Sequence, residues 1–123
     1  MSDYIPKKLN FCYFTMDKGY TCVQLENNKL IINKSEKYYI PTHGEWSNFK
    51  DKLDEIGVWD WDGDYERCCL IDGYSWELEI EYTNCYIKNE GINYGPHRVV
   101  GENVLDSLQE LIMAIEELTG FEF

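Results

Sequence analysis

Three aspartates alternate with other residues in the stretch WDWDGDYE: Asp60, Asp62 and Asp64, followed by Glu66. Oxygen ligands at every second position are what a calcium loop of the EF-hand type presents to its ion. That loop also needs glycine at its sixth position and a bidentate Glu at its twelfth. Counted from Asp60, the glycine falls fourth, the sixth residue is Tyr65 and the twelfth is Ile71. The spacing therefore predicts no specific metal site, and no cofactor is expected. A thiol and imidazole pair is the next chemistry to weigh. Cys68 or Cys69 could act as nucleophile with His97 as base, provided the fold brings them within about 4 Å. No local signature accompanies them, His43 reads as an exposed first-turn residue, and no Walker, Rossmann or zinc spacing occurs. The sequence leans away from an enzyme.

A different pattern carries more physical information. In YSWELEIEY the residues Trp76, Leu78, Ile80 and Tyr82 alternate with Glu77, Glu79 and Glu81. A strand sends successive side chains to opposite faces, so three carboxylates stand about 6.8 Å apart on one exposed face while the apolar set enters the core. With Asp60, Asp62, Asp64 and Glu66 they form a candidate acidic surface for a basic protein partner. A second candidate is the glycine-rich loop GINYGPHRVVG. There Gly91, Asn93 and His97, beside the Trp-rich segment, could serve a small-molecule or metal-binding module.

The elements that position these residues are legible from their punctuation. KLNFCYFTM and YTCVQLE flank DKG, and LENNKL leads into KLIIN through two asparagines that tolerate left-handed backbone, which predicts a three-strand meander. EKYYI adds a short edge segment ended by Pro41. Thr42 and Glu45 have the spacing of a capping box, and Gly57 is placed to end the helix they start. Between them Trp46, Phe49, Leu53 and Ile56 fall within an arc of roughly 80°, one narrow apolar stripe. Asp72 and Gly73 mark a hairpin turn, and Thr83 and Asn84 turn the chain into CYIKNE, so a second three-strand meander is expected. A final amphipathic helix is expected from about Glu102 to Thr119, ended by Gly120. The predicted fold is α+β: a largely antiparallel sheet of about six strands, as two meanders each followed by a helix, with both helices on one face.

A chain of 123 residues fits one domain, 1–123, and 15% aromatic residues supply enough large rings for its core. The N-terminus MSDYIPKKLNF lacks a continuous apolar run, and no stretch approaches the roughly 20 apolar residues that cross a bilayer, so a cytoplasmic protein is expected. Five cysteines, an odd number with two adjacent, suit reduced thiols acting as small apolar fillers. The net charge of -12 is uneven: residues 45–82 hold twelve acids against three bases. Such a field repels nucleic acid and anionic membrane and steers a basic protein toward it.

The series Trp46, Phe49, Leu53, Gly57, Trp59, Trp61 and Tyr65, then D-G-x-x-W from Asp72 to Trp76, LEIEY, and G-x-N-x-x-P from Gly91 through Asn93 to Pro96, resembles a family of small bacterial proteins. The likeness covers roughly residues 46–96 plus the closing helix, and it brings no activity with it. Gly95 stands where that pattern often has an aromatic, so any contact of that ring would be missing. The functional expectation is a small acidic protein-binding domain, of the kind an immunity-type or anti-defence inhibitor uses to cover a basic surface.

Overall fold

The computed structural model describes residues 4–33, 37–61, 65–66 and 73–123. Strand β1 (Lys8–Thr15) buries Leu9 and Phe11, and Gly19, at φ 72°, closes the three-residue connection that returns the chain as β2 (Gly19–Glu26). Asn27 and Asn28 lie at φ 51° and 65°, the pair of left-handed residues that a two-residue hairpin turn requires, and β3 (Lys29–Ile32) follows. A two-residue strand, β4 (Tyr38–Tyr39), ends this run before Pro41.

Helix α1 (His43–Ile56) begins as its sequence implies. The Thr42 hydroxyl accepts from the Glu45 amide at 3.2 Å and the Glu45 carboxylate accepts from the Thr42 amide at 2.8 Å. Gly57 ends it at φ 80°, its N–H donating to the Leu53 carbonyl at 3.0 Å. Trp46, Phe49, Leu53 and Ile56 are all buried, each contributing on the order of 2 kcal/mol in transfer free energy before side-chain ordering is charged against it. A single 3-10 turn (Val58–Asp60) then leads toward the two-residue strand β5 (Tyr65–Glu66), and the hairpin of β6 (Tyr74–Glu81) and β7 (Tyr86–Ile92) follows.

The strands form one sheet in the order β4-β3-β2-β1-β6-β7-β5. Six of them are mutually antiparallel, while β5 runs parallel to β7 at the edge. Of the expected second meander the last two strands are present as the β6–β7 hairpin, while the first, RCCLI, lies outside the described residues. β6 inserts beside β1, and β5, which was not foreseen, docks on the far side of β7. Asp72 of the predicted turn lies outside the described residues.

The end of the chain also departs from expectation. Residues expected to open the last helix form β9 (Asn103–Asp106), which pairs with β8 (His97–Val100) of the preceding loop in a separate two-stranded sheet. Gly101, at φ 62°, starts the two-residue turn between them. Helix α2 (Ser107–Thr119) begins only where the Asp106 carboxylate accepts from the Gln109 amide at 3.2 Å, and Gly120 ends it at φ 74°. Val104 belongs to the hairpin and is 68% exposed, so its apolar character extends the helical period only in sequence.

The buried faces of α1 and α2 join Leu9, Phe11, Val23, Leu30, Trp76, Leu78 and Ile80 in one core. Alternation then sends the other set of side chains outward, where Tyr20, Glu77, Tyr86, Lys88, Glu90 and Ile92 are exposed. Among the described residues no helix is long and apolar enough to cross a membrane. On the outer face, Cys12 and Cys22 stand directly opposite each other in β1 and β2, with Cα atoms 4.1 Å apart, and are joined as a disulfide. This corrects the reading of these two as reduced fillers. Counting cysteines ignores register, and the turn around Gly19 brings this pair together. The argument for a reducing compartment does not stand on them.

Candidate functional site

The carboxylates of β6 take the outward positions that alternation predicts, but register separates their environments. Glu79 pairs with Lys8 at 3.2 Å and accepts from the Tyr86 hydroxyl at 2.7 Å, with Lys88 opposite it on β7. The Tyr86 hydrogen bond, then that of Lys8, holds Glu79 below the usual carboxylate range. Glu81 lies between Lys8 and Tyr86 in the ladder. Glu77 has Cys12 on one side and Glu90 directly across on the other. Neither Glu77 nor Glu90 has a cationic partner among the described residues, and like charges facing each other across a ladder are destabilising. A shallow hollow of about 230 Å³ borders them, lined also by Tyr20, Tyr65, Ser75 and Ile92.

Among the described residues the outer face carries Lys8, Lys29 and Lys88 beside its carboxylates, and Glu77 and Glu90 face each other without one of them. Glu90 was not among the sequence candidates. Its signal was available, since CYIKNE following the turn at Thr83 and Asn84 puts Lys88 and Glu90 on one face. Asp60 is exposed at the end of the 3-10 turn. Asp62, Asp64 and the side chain of Glu66 lie outside the described residues, so the proposed acidic extension is represented by Asp60 alone.

The rings around that segment are structural. Trp61 is buried with its ring edge-on to Trp76 at 5.8 Å, and Tyr65 lies 5.8 Å from the same ring. Trp59 is half-buried, edge-on to Tyr82 at 5.6 Å, and donates its indole N–H to Asp54 at 2.8 Å. Lys50 completes this group, its ammonium 2.8 Å from Asp54 and 5.6 and 5.4 Å from the centres of the Trp59 and Tyr82 rings. Burial works to raise the Asp54 pKa, but the hydrogen bonds from Lys50 and Trp59 outweigh it and hold the group low.

The glycine-rich loop is a lock between β6 and β7. The Trp76 indole N–H donates to the Tyr94 carbonyl at 2.9 Å, directly over Gly91, where a Cβ would run into both groups. Asn93, at φ 58°, accepts from the Tyr74 amide through its side-chain oxygen at 2.8 Å and donates its own amide to the Tyr74 carbonyl at 2.7 Å. A Cβ on Gly73 would meet that Asn93 side chain, and the Pro96 carbonyl accepts from Ser107 at 3.0 Å. Gly91 and Asn93 thus spend their chemistry inward. His97 is exposed on β8, its ring 5.8 Å from that of Tyr94.

Cys68 and Cys69 lie outside the described residues. Cys85 sits at the Tyr86 end of β7, while His97 follows the Ile92 end, so the strand separates them by roughly 20 Å. Burial raises the Cys85 thiol, which leaves little thiolate at neutral pH. Among the described residues no group of three His, Cys, Asp or Glu is placed to hold a metal ion. No family model, curated protein or solved structure matches the chain.

Proposed function

We propose that this chain is a small acidic domain that binds a basic protein, covering a cationic surface as an immunity-type or anti-defence inhibitor does. The observation that carries the reading is Glu77 facing Glu90 on an exposed sheet face, with no cationic partner for either among the described residues. A guanidinium or ammonium from a partner would bridge the two carboxylates, converting a repulsion into two charge-assisted hydrogen bonds. Tyr20 offers a ring for the cation to stack on, and Ile92 an apolar contact beside it. The chain's charge of -12 supplies the long-range attraction that brings such a partner in.

The test is capture from a lysate of the native host at low salt, followed by titration of the purified captured protein against wild type and a Glu77→Lys/Glu90→Lys variant. A basic partner whose affinity falls at least about tenfold in the variant, roughly 1.4 kcal/mol, supports the reading. Equal affinity for both proteins, or a captured partner without a basic surface, overturns it.

A further inference from the structure

The Cys12–Cys22 disulfide stands in a row that crosses four strands. Register places Glu90 of β7 opposite Glu77 of β6, Glu77 opposite Cys12 of β1, and Cys12 opposite Cys22 of β2. The two sulfurs therefore have unlike surroundings. Cys12 is 8% exposed and has the Glu77 carboxylate as its cross-strand neighbour. Cys22 is half-buried, and its neighbour on the other side is the exposed, neutral Asn33. The Asn33 side-chain oxygen accepts from the Cys22 amide at 2.7 Å, and the Asn33 amide donates to the Cys22 carbonyl at 2.8 Å. With both backbone groups of Cys22 turned that way, Cys12 and Cys22 form a non-hydrogen-bonded pair of the β1–β2 ladder, where opposed side chains come closest.

The sheet does not depend on this bond. Strand β1 pairs with β2 along six residues and with β6 along eight, so the strands keep their register when the sulfurs part.

We propose that Cys12–Cys22 is a thiol–disulfide exchange site for low-molecular-weight thiols, with Cys22 as the sulfur attacked and Cys12 as the leaving sulfur. Glu77 enters only as a charge, so the site stands whether or not a protein docks on the sheet face. A thiolate attacks a disulfide sulfur along the line of the S–S bond. From the β6 side that line passes over Glu77, an anion repelling an anion. From the β3 side it passes neutral Asn33. The incoming sulfur bonds to Cys22 Sγ, the S–S bond breaks, and its electron pair leaves on Cys12 Sγ, which takes a proton from solvent. A second thiolate then attacks the sulfur of the attached small thiol and carries it off as a symmetric disulfide, leaving Cys22 as a thiol. The protein has gained two electrons and the small thiols have lost two. Glu77 slows the first step, because negative charge develops on Cys12 about 5 Å from a carboxylate and a less stable thiolate is a poorer leaving group.

The probe is cysteamine, added to the oxidised full chain after solvent-open thiols have been blocked with iodoacetamide. Samples are quenched in acid, digested with pepsin and mapped by mass spectrometry. The mixed disulfide should form on Cys22 in at least about tenfold excess over Cys12. At low ionic strength Glu77→Gln should speed the step roughly two- to fourfold and Glu90→Gln, one strand farther away, less. Both differences should vanish near 1 M salt, where charges are screened beyond about 3 Å. Attachment at Cys12, or at both sulfurs equally, overturns the proposal. So does a Glu77→Gln rate that equals wild type or differs from it equally at every salt concentration, and so does exchange no faster than global unfolding.

Discussion

Glu77 and Glu90 occupy directly opposed positions of the β6–β7 ladder, on the same face, one strand away from the Cys12–Cys22 disulfide. Reversing one of these charges makes an attractive pair of a repulsive one. Glu90→Lys should therefore raise stability by about 0.5 kcal/mol, read as a higher urea midpoint with an unchanged slope, while partner binding falls. A lower midpoint would mean that Glu90 makes a stabilising contact in the free protein.

Gly91 lies under the hydrogen bond from Trp76 to Tyr94. Gly91→Ala should destabilise by about 2 to 3 kcal/mol, since the new Cβ must displace the indole or the carbonyl, and core overpacking of this kind costs about 1 to 3 kcal/mol on its own. Urea denaturation followed by tryptophan emission would register both the loss and the altered surroundings of Trp76.

Asn93 does two jobs, adopting left-handed backbone and accepting the Tyr74 amide. Asn93→Gly keeps the first and should cost about 1 kcal/mol, whereas Asn93→Ala loses both and should cost about 2 to 3 kcal/mol. Thermal melts that rank alanine at or above glycine would contradict this division.

The Arg98–Glu110 pair ties β8 to α2, with contacts of 2.9 and 2.6 Å. Its hydrogen bonds hold Glu110 below the usual glutamate range. Protonating this carboxyl in the folded protein therefore takes a lower pH than in the unfolded chain. The stabilisation should be complete above about pH 4 to 5 and fade as pH falls through the lowered folded-state value. Melting temperatures of wild type and Glu110→Gln should differ at pH 7 and converge toward pH 3.

The disulfide closes a short loop, its cysteines ten positions apart in sequence. Loop-closure entropy gives about 2 to 3 kcal/mol for a ring of that size. Reduction should lower the melting temperature accordingly, and peptide mapping after alkylation should find Cys12 and Cys22 labelled only when reductant is added. Labelling without reductant would exclude the bond.

How much of this was legible beforehand differed with the range of the interaction. Thr42, Glu45 and Gly57 bound α1 in the structure as they do in the sequence, because capping is settled within a few residues. The alternation around Trp76 likewise chose the buried and exposed faces of β6. The edge strand β5 was missed and the start of α2 misread for opposite reasons. The partner of β5 is a long-range choice that local pattern does not encode, and Val104 and Leu105 fit a helical period while Gly101 and Asp106 confine them to a hairpin. The candidate site shows the same divide. Alternation put Glu77, Glu79 and Glu81 together, but only strand register shows that Lys8 and Tyr86 occupy Glu79 while Glu90 confronts Glu77. Gly91 and Asn93 drew notice by residue type, and their neighbours Trp76 and Tyr74 explain them as a lock.

Both edges of the seven-stranded sheet are strands of only two residues, β4 and β5. A long open edge offers its free amides and carbonyls as a template on which another chain can add strand upon strand. At one side β5 pairs only with Gly91 and Ile92 of β7, so the outer edge of the remainder of β7, Tyr86–Glu90, lies beside no described strand. What guards that stretch is charge, since Lys88 and Glu90 stand exposed on it, and charged side chains at a sheet edge discourage strand upon strand growth at high concentration.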